Sequence, residues 1–249
     1  MCYAFRIDKL KEKHHDIDVD ESGDGLPISR CPYLPEQKMR LEAGLALHLP
    51  AADFDHLLVR GFRRSGLMLY VPNCPSGCRQ CIPIRVPVDR FAPSRSQRRV
   101  ERQCRDLVDV RVGEPRFDQA HVELHNRHAP LVSPDNTLCS ESQYGLVFVD
   151  SCVQTHLIEY WIEDKLVGLS TLDEGLGSLS SVYFCWDPEF AKLSLGTYSA
   201  IWELAWAKER GLQYYYLGYW VEQCPSMAYK ANFGPHEMLD WASGRWRCR

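Results

Sequence analysis

The 249-residue sequence lacks an excess of positive charge. Its 29 Lys and Arg stand against 33 Asp and Glu, a formal net charge of −4. That balance excludes a chain that coats nucleic acid without preference. No apolar run is long enough to span a membrane. The first ten residues carry Arg6, Asp8 and Lys9, so they do not read as a secretory leader. There is no internal repeat and no low-complexity tract. A cytoplasmic globular chain is the expectation, and 45% hydrophobic with 25% charged residues agrees with it.

Cysteine, by contrast, is abundant: eleven, an odd number. In a reducing compartment, clustered thiols point to metal or redox chemistry more than to disulfides. Cys74, Cys78 and Cys81 form a C-x3-C-x2-C knuckle. It follows a turn, Gly61-Phe62-Arg63-Arg64-Ser65-Gly66, and leads into the strand-like Ile82–Val88. The two arginines between glycines are free to project, so an acidic protein carries a localised anion-handling surface.

The chain divides into an irregular leader (1–30), an N-terminal part (31–113) and a C-terminal part (114–249), with the boundary at Gly113-Glu114-Pro115. His14 and His15 in the leader read as solvated. In the N-terminal part, residues 35–47 and 53–59 are expected as helices, 67–71 and 82–88 as strands. Ser94-Arg95-Ser96-Gln97 has the form of a capping box, in which the serine caps the helix start and the glutamine reaches back. The helix it opens places Arg95, Arg98, Arg102 and Arg105 on one face and Val100, Cys104 and Leu107 on another. Beyond the boundary, helices are expected at 117–128 and 141–149, with a loop at 129–135 between them. Strands are expected at 155–162, 166–172 and 178–186, a helix from 194 to 210 stopped by Gly211, and a strand at 213–221.

Hairpin, strand, helix, strand in that order resembles the core of the Gcn5-related acyltransferases (GNAT-like). Their usual donor is acetyl-CoA, cradled by a glycine-rich turn at the helix start. Here that turn is Leu193-Ser194-Leu195-Gly196-Thr197, with a single glycine. A different activated acyl donor is the economical reading. The fold class expected is α+β, a cysteine-containing N-terminal α+β part packed on a GNAT-like domain.

Several spaced blocks then carry a specific likeness: Cys31-Pro32-Tyr33-Leu34-Pro35, the Gly61–Gly66 turn, Cys81-Ile82-Pro83-Ile84-Arg85-Val86, and Phe91–Gln97. Leu179-Ser180-Ser181-Val182-Tyr183, Asp187-Pro188, Ser194–Tyr198, Tyr216-Leu217-Gly218-Tyr219 and Cys224–Lys230 continue the series. On these blocks the chain resembles the aminoacyl-tRNA–protein transferases, most closely the bacterial aspartate/glutamate leucyltransferases and next the arginyl-tRNA–protein transferases. It departs from them in the three residues between Cys74 and Cys78, where two are usual, in a shorter segment near Arg127-His128, and in Leu34, where arginyl transferases carry a cysteine.

The resemblance implies transfer of an aminoacyl group from charged tRNA to the α-amine of proteins beginning with Asp or Glu, marking them for N-degron degradation. Leucine and arginine both stay open as donor, and so does a noncatalytic metal-knuckle tRNA-binding protein. The ester is already activated. The enzyme must therefore orient the amine, accept its proton and stabilise an oxyanion. Asp173, Tyr183 and Tyr219 are the candidates for that chemistry. Arg63, Arg64, Ser65, Tyr229 and Lys230 are candidate substrate contacts. Arg85, Arg95, Arg98, Arg102 and Arg105 would form a phosphate track for tRNA. Cys31, Cys74, Cys78 and Cys81 could hold zinc or an iron–sulfur cluster, although the chemistry requires no cofactor.

Overall fold

The computed structural model describes residues 17–18, 26–132 and 138–249. His14, His15, most of the leader and part of the expected 129–135 loop lie outside the described residues.

Two sheets carry the molecule. The smaller one is four-stranded, ordered β1-β4-β6-β5, from β1 (Ile17–Asp18), β4 (Leu41–Ala46), β5 (Arg63–Ser65) and β6 (Met68–Pro72). Beside it, β2 (Ser29–Arg30) and β3 (Lys38–Met39) pair as a short ribbon. The expected helix at 35–47 is therefore wrong. Met39, Leu41, Ala43 and Leu45 alternate with Arg40, Glu42 and Gly44, a period of two. That alternation lets β4 pair antiparallel with β6 from Leu41↔Pro72 to Leu45↔Met68. Helix α1 (Ala51–Val59) buries Phe54, Leu57 and Leu58.

The larger sheet has eight strands in the order β14-β13-β7-β12-β11-β10-β9-β8. They are β7 (Ile82–Pro87), β8 (Asp109–Gly113), β9 (Gln154–Ile162), β10 (Lys165–Glu174), β11 (Ser178–Trp186), β12 (Tyr214–Trp220), β13 (Glu237–Asp240) and β14 (Arg245–Cys248). Strand β7 lies between β12 and β13, and β8 pairs with β9. The sheet thus runs across the boundary expected at residue 113.

On one face of this sheet lie α2 (Arg95–Cys104) and α5 (Leu195–Glu209), packed against each other over Ile84, Tyr160, Leu179 and Tyr215. Both halves of the Ser94–Gln97 capping box form. On the other face, α3 (Gln119–Val132) and α4 (Glu141–Tyr144) cover Leu157, Leu169 and Cys185. Helix α3 continues through Pro130 and takes in the first part of the expected loop. Helix α1 and the small sheet cover Tyr216 on this same side. The short α6 (Pro225–Ala228) and a 3-10 turn, Tyr229–Asn232, follow β12.

Strands β11 and β12 are the only parallel neighbours in the large sheet among the described residues. Their ladder consists of Ser178↔Tyr214, Leu179↔Tyr215 and Ser180↔Tyr216. Past Ser180 and Tyr216 it stops, although both strands continue. The inner edges of the two strands there lack ladder partners. Such edges are rare inside a sheet, and their backbone groups must find partners outside the ladder.

Candidate active site

Strand β5 delivers two adjacent arginines to the end of the β11–β12 ladder, both buried. Successive residues of a strand face opposite ways, so the two take different partners. Arg64 forms a two-pronged ion pair with Asp173 of β10: Nε to Oδ2 at 2.6 Å and Nη2 to Oδ1 at 2.7 Å. Both side chains are fully enclosed. Arg64 Nη1 also donates to the Gly66 carbonyl at 2.8 Å, and Thr155 Oγ1 donates to Asp173 Oδ1 at 2.8 Å. Asp173 is therefore not a free proton acceptor, nor is Arg64 a free substrate contact. Each neutralises the other, and together they pin the small sheet to the large one.

Arg63 has no carboxylate partner among the described residues. Its Nη1 donates to Ser180 Oγ at 2.7 Å, and its Nη2 donates to the Ser181 carbonyl. The guanidinium thus sits where the ladder ends, with donors left over. Lys230 approaches the same point from beyond α6. Its Nζ donates to the Tyr219 carbonyl at 2.9 Å and lies 3.5 Å from Met227 Sδ. Lys230 is half-buried as a residue, and its Nζ is turned inward onto Gly218 and the Tyr219 carbonyl. Gly218 shows how closely the two cations converge. A Cβ built there would lie 3.4 Å from Lys230 Nζ and 3.6 Å from Arg63 Nη2, and its φ of +92° is a glycine conformation. Burial, with Arg63 next in effect, pushes the Lys230 ammonium down to about 7.

Tyr219 points to the same side of the sheet and donates its hydroxyl to the Gly61 carbonyl at 2.8 Å. Burial raises it well above the usual phenol range. A cavity opens beside it, lined by Tyr33, Ser65, Met68, Tyr70, Trp241 and the thiols of Cys31, Cys74, Cys78 and Cys81. The structure thus gathers the four predicted cysteines around one space. All are free thiols. Among the described residues, however, no three His, Cys, Asp or Glu side chains converge on one ion position.

Tyr183 stands apart from this centre. Its hydroxyl is 3.4 Å from His128 Nδ1, and its ring packs on His125 and Phe148 under α3. Tyr229 is exposed, its ring edge-on to Phe233.

The expected phosphate track divides. Arg85 on β7 is not part of it. Its guanidinium lies 3.7 Å from the Tyr214 ring centre and 4.2 Å from that of Trp246, pairs with Glu237 at 2.8 Å and donates to Tyr216 Oη at 2.9 Å. A charge in the middle of a central strand has to be neutralised on the spot. Arg95, Arg98 and Arg102 are exposed on α2. Arg98 Nη1 donates to the Pro93 carbonyl and Arg102 Nε to the Arg98 carbonyl, while Arg105 pairs with Glu101 one turn back.

Glu203 was missed from the sequence. It is buried in the middle of α5 and accepts from Ser170 Oγ at 2.6 Å, Tyr160 Oη at 3.2 Å and Tyr215 Oη. Burial raises its carboxyl to about 7, opposed by the three hydroxyl donors. The one signal it gave is a lone carboxylate in the apolar run Ile201-Trp202-Glu203-Leu204-Ala205-Trp206.

Against known proteins, residues 29–99 match the family model "Arginine-tRNA-protein transferase, N terminus" and residues 120–240 match "Arginine-tRNA-protein transferase, C terminus". An aspartate/glutamate leucyltransferase of Chromobacterium violaceum is 37% identical over 87% of this chain and 89% of its own. One from Marinobacter nauticus is 34% identical over 89% and 93%. A crystal structure of FemX aligns with 72% of this chain and 63% of its own, at 11% identity and a TM-score of 0.44, too distant to bear on function. No described helix is long and apolar enough to cross a membrane.

Proposed function

The chain belongs to the aminoacyl-tRNA–protein transferase family and is a transferase, and from that premise we propose that it moves leucine from leucyl-tRNA to the α-amine of proteins beginning with Asp or Glu. The relatives named as aspartate/glutamate leucyltransferases support this donor and these acceptors. One observation carries the reading: Arg63, buried at the end of the β11–β12 ladder, has no carboxylate partner among the described residues. A buried guanidinium without a counter-charge is costly unless a ligand supplies one. The acidic side chain of the acceptor is that ligand. It would bring the α-amine to the ladder end, where the aminoacyl ester must lie. Orientation then supplies much of the acceleration.

The fold that accompanies this reading is GNAT-like. Support comes from the antiparallel run β9-β10-β11, the crossover through α5 and the parallel return of β12. The exposed Arg95, Arg98 and Arg102 remain the contacts for tRNA phosphates, and a tRNA substrate goes with a cytoplasmic reaction. The four thiols around one cavity are the residues that would hold zinc or an iron–sulfur cluster, and the transfer runs without either.

The test supplies purified protein with an Asp-starting peptide and tRNA charged with leucine or arginine in turn, read by mass. Addition of a leucyl residue only with leucyl-tRNA is expected. Arginine transfer alone, or acylation from acyl-CoA, would replace the reading.

A further inference from the structure

The reaction needs a group that takes a proton from the attacking amine, and most candidates near the ladder end are already committed. Asp173 is bound on both oxygens by Arg64 and on one by Thr155. The Tyr219 hydroxyl donates to Gly61. Glu203 lies on the opposite face of the sheet, closed in by three hydroxyls. His125 and His128, on α3, pack against Tyr183.

Lys230 is different. Its Nζ reaches the point where β11 and β12 part, beside Arg63 and against Gly218. It has no carboxylate partner among the described residues. Its two contacts, the Tyr219 carbonyl and Met227 Sδ, are both acceptors. A neutral amine satisfies that pair with its two N–H bonds and keeps its lone pair free. An ammonium would bury a third N–H and a second cation beside Arg63.

We propose that Lys230 is the catalytic proton acceptor of the transfer, working as a neutral amine held next to the fixed charge of Arg63. This rests on the transferase reading above. As the acceptor α-amine attacks the ester carbonyl, a C–N bond forms and the amine proton passes to Lys230 Nζ. Collapse of the tetrahedral species breaks the C–O bond to the tRNA ribose, and the Lys230 ammonium returns the proton to the leaving oxygen. The protein ends as it began.

The surroundings agree. Burial is the main influence lowering Lys230 to about 7, and Arg63 of β5 adds to it. The thiols of Cys224 ahead of α6 and Cys81 ahead of β7 oppose both. Lys230 is thus neutral above pH 7 and protonated below it, so transfer rises as pH rises through that value.

Two measurements test the assignment. In single turnovers with bound leucyl-tRNA and saturating Asp-peptide, Lys230→Arg and Lys230→Gln should both lose about 100- to 10,000-fold in rate. KM for the peptide should stay within about threefold, and arginine should do no better than glutamine, because a fixed charge carries no lone pair. Lys230→Arg at the wild-type rate would overturn the proposal while leaving the transferase reading intact. Absence of transfer by the wild type from any charged tRNA would instead sink that reading. The second measurement needs no turnover: acetic anhydride labelling of the wild-type protein across pH, read lysine by lysine. Half-maximal labelling of Lys230 near pH 7 is expected. Labelling in parallel with surface lysines, which ionise near about 10.4, overturns the proposal even if the variants fail to fold.

Discussion

Arg64 and Asp173, 109 residues apart, hold each other through two parallel hydrogen bonds with neither side chain exposed. This pair separates structure from function within the Arg63-Arg64 dipeptide, because it occupies one arginine and leaves the other for a ligand. Removing either partner leaves a buried charge alone. Arg64→Ala and Asp173→Ala should each cost about 3–5 kcal/mol, read as a fall in the urea midpoint. The double replacement Arg64→Met with Asp173→Leu should recover much of that loss. Single variants as stable as wild type would show that the pair does not clamp the sheets.

Glu203 makes stability depend on pH. Its folded carboxyl titrates at about 7, against an ordinary 4.5. The folded state therefore holds its proton where the unfolded state has lost it. Stability from this group is full below about pH 4.5, falls as pH rises toward 7 and is level above it, a change of up to roughly 3 kcal/mol. Glu203→Gln, uncharged throughout, should flatten that limb in denaturant titrations between pH 5 and 7.5. A limb of unchanged slope would assign it to another group.

How far the sequence reached depends on where each residue's partner sits. The Ser94–Gln97 capping box was legible because both of its hydrogen bonds are local, and the β9–β10 hairpin because its turn, Glu163-Asp164-Lys165, is local too. Arg63 and Arg64 stood out as a pair, but their fates were hidden. The partners that divide them lie 117 and 109 residues away. The sequence groups Arg85 with the phosphate track because its neutralising group, Glu237, is 152 residues off. Its position inside the apolar Ile82–Pro87 strand was the clue to burial. The strand pattern at 39–45 is present in the alternation, inside the stretch 35–47 expected as a helix.

The exposed arginines of α2 should be felt through salt. Arg98→Ala with Arg102→Ala should weaken binding of charged tRNA and lower the log–log salt slope by about one for each phosphate left without its arginine. KM for the acceptor peptide should stay unchanged. An unaltered slope would make this face a solvated one.

The cysteine cavity can be read by metal analysis. Protein purified without oxygen should contain less than stoichiometric zinc or iron if the thiols stay as arranged, and Cys78→Ser should then change neither metal content nor transfer. One equivalent of zinc, or iron with sulfide, that disappears on Cys78→Ser would show that Cys31, Cys74, Cys78 and Cys81 close on a ligand.

Arg63 is the proposed receptor for the acceptor's acidic side chain. The decisive measurement is the ratio of kcat/KM for Asp- and Asn-starting peptides, in wild type and in Arg63→Ala. A charge-assisted pairing is worth roughly 1.5–3 kcal/mol. The variant should therefore lose about tenfold to a hundredfold on the Asp peptide and change little on the Asn peptide. Arg63→Lys should restore only part of the loss, because it offers a point charge in place of a planar fork. An Asp-to-Asn ratio unchanged in Arg63→Ala, with both rates falling together, would contradict the account and place the acidic pocket elsewhere.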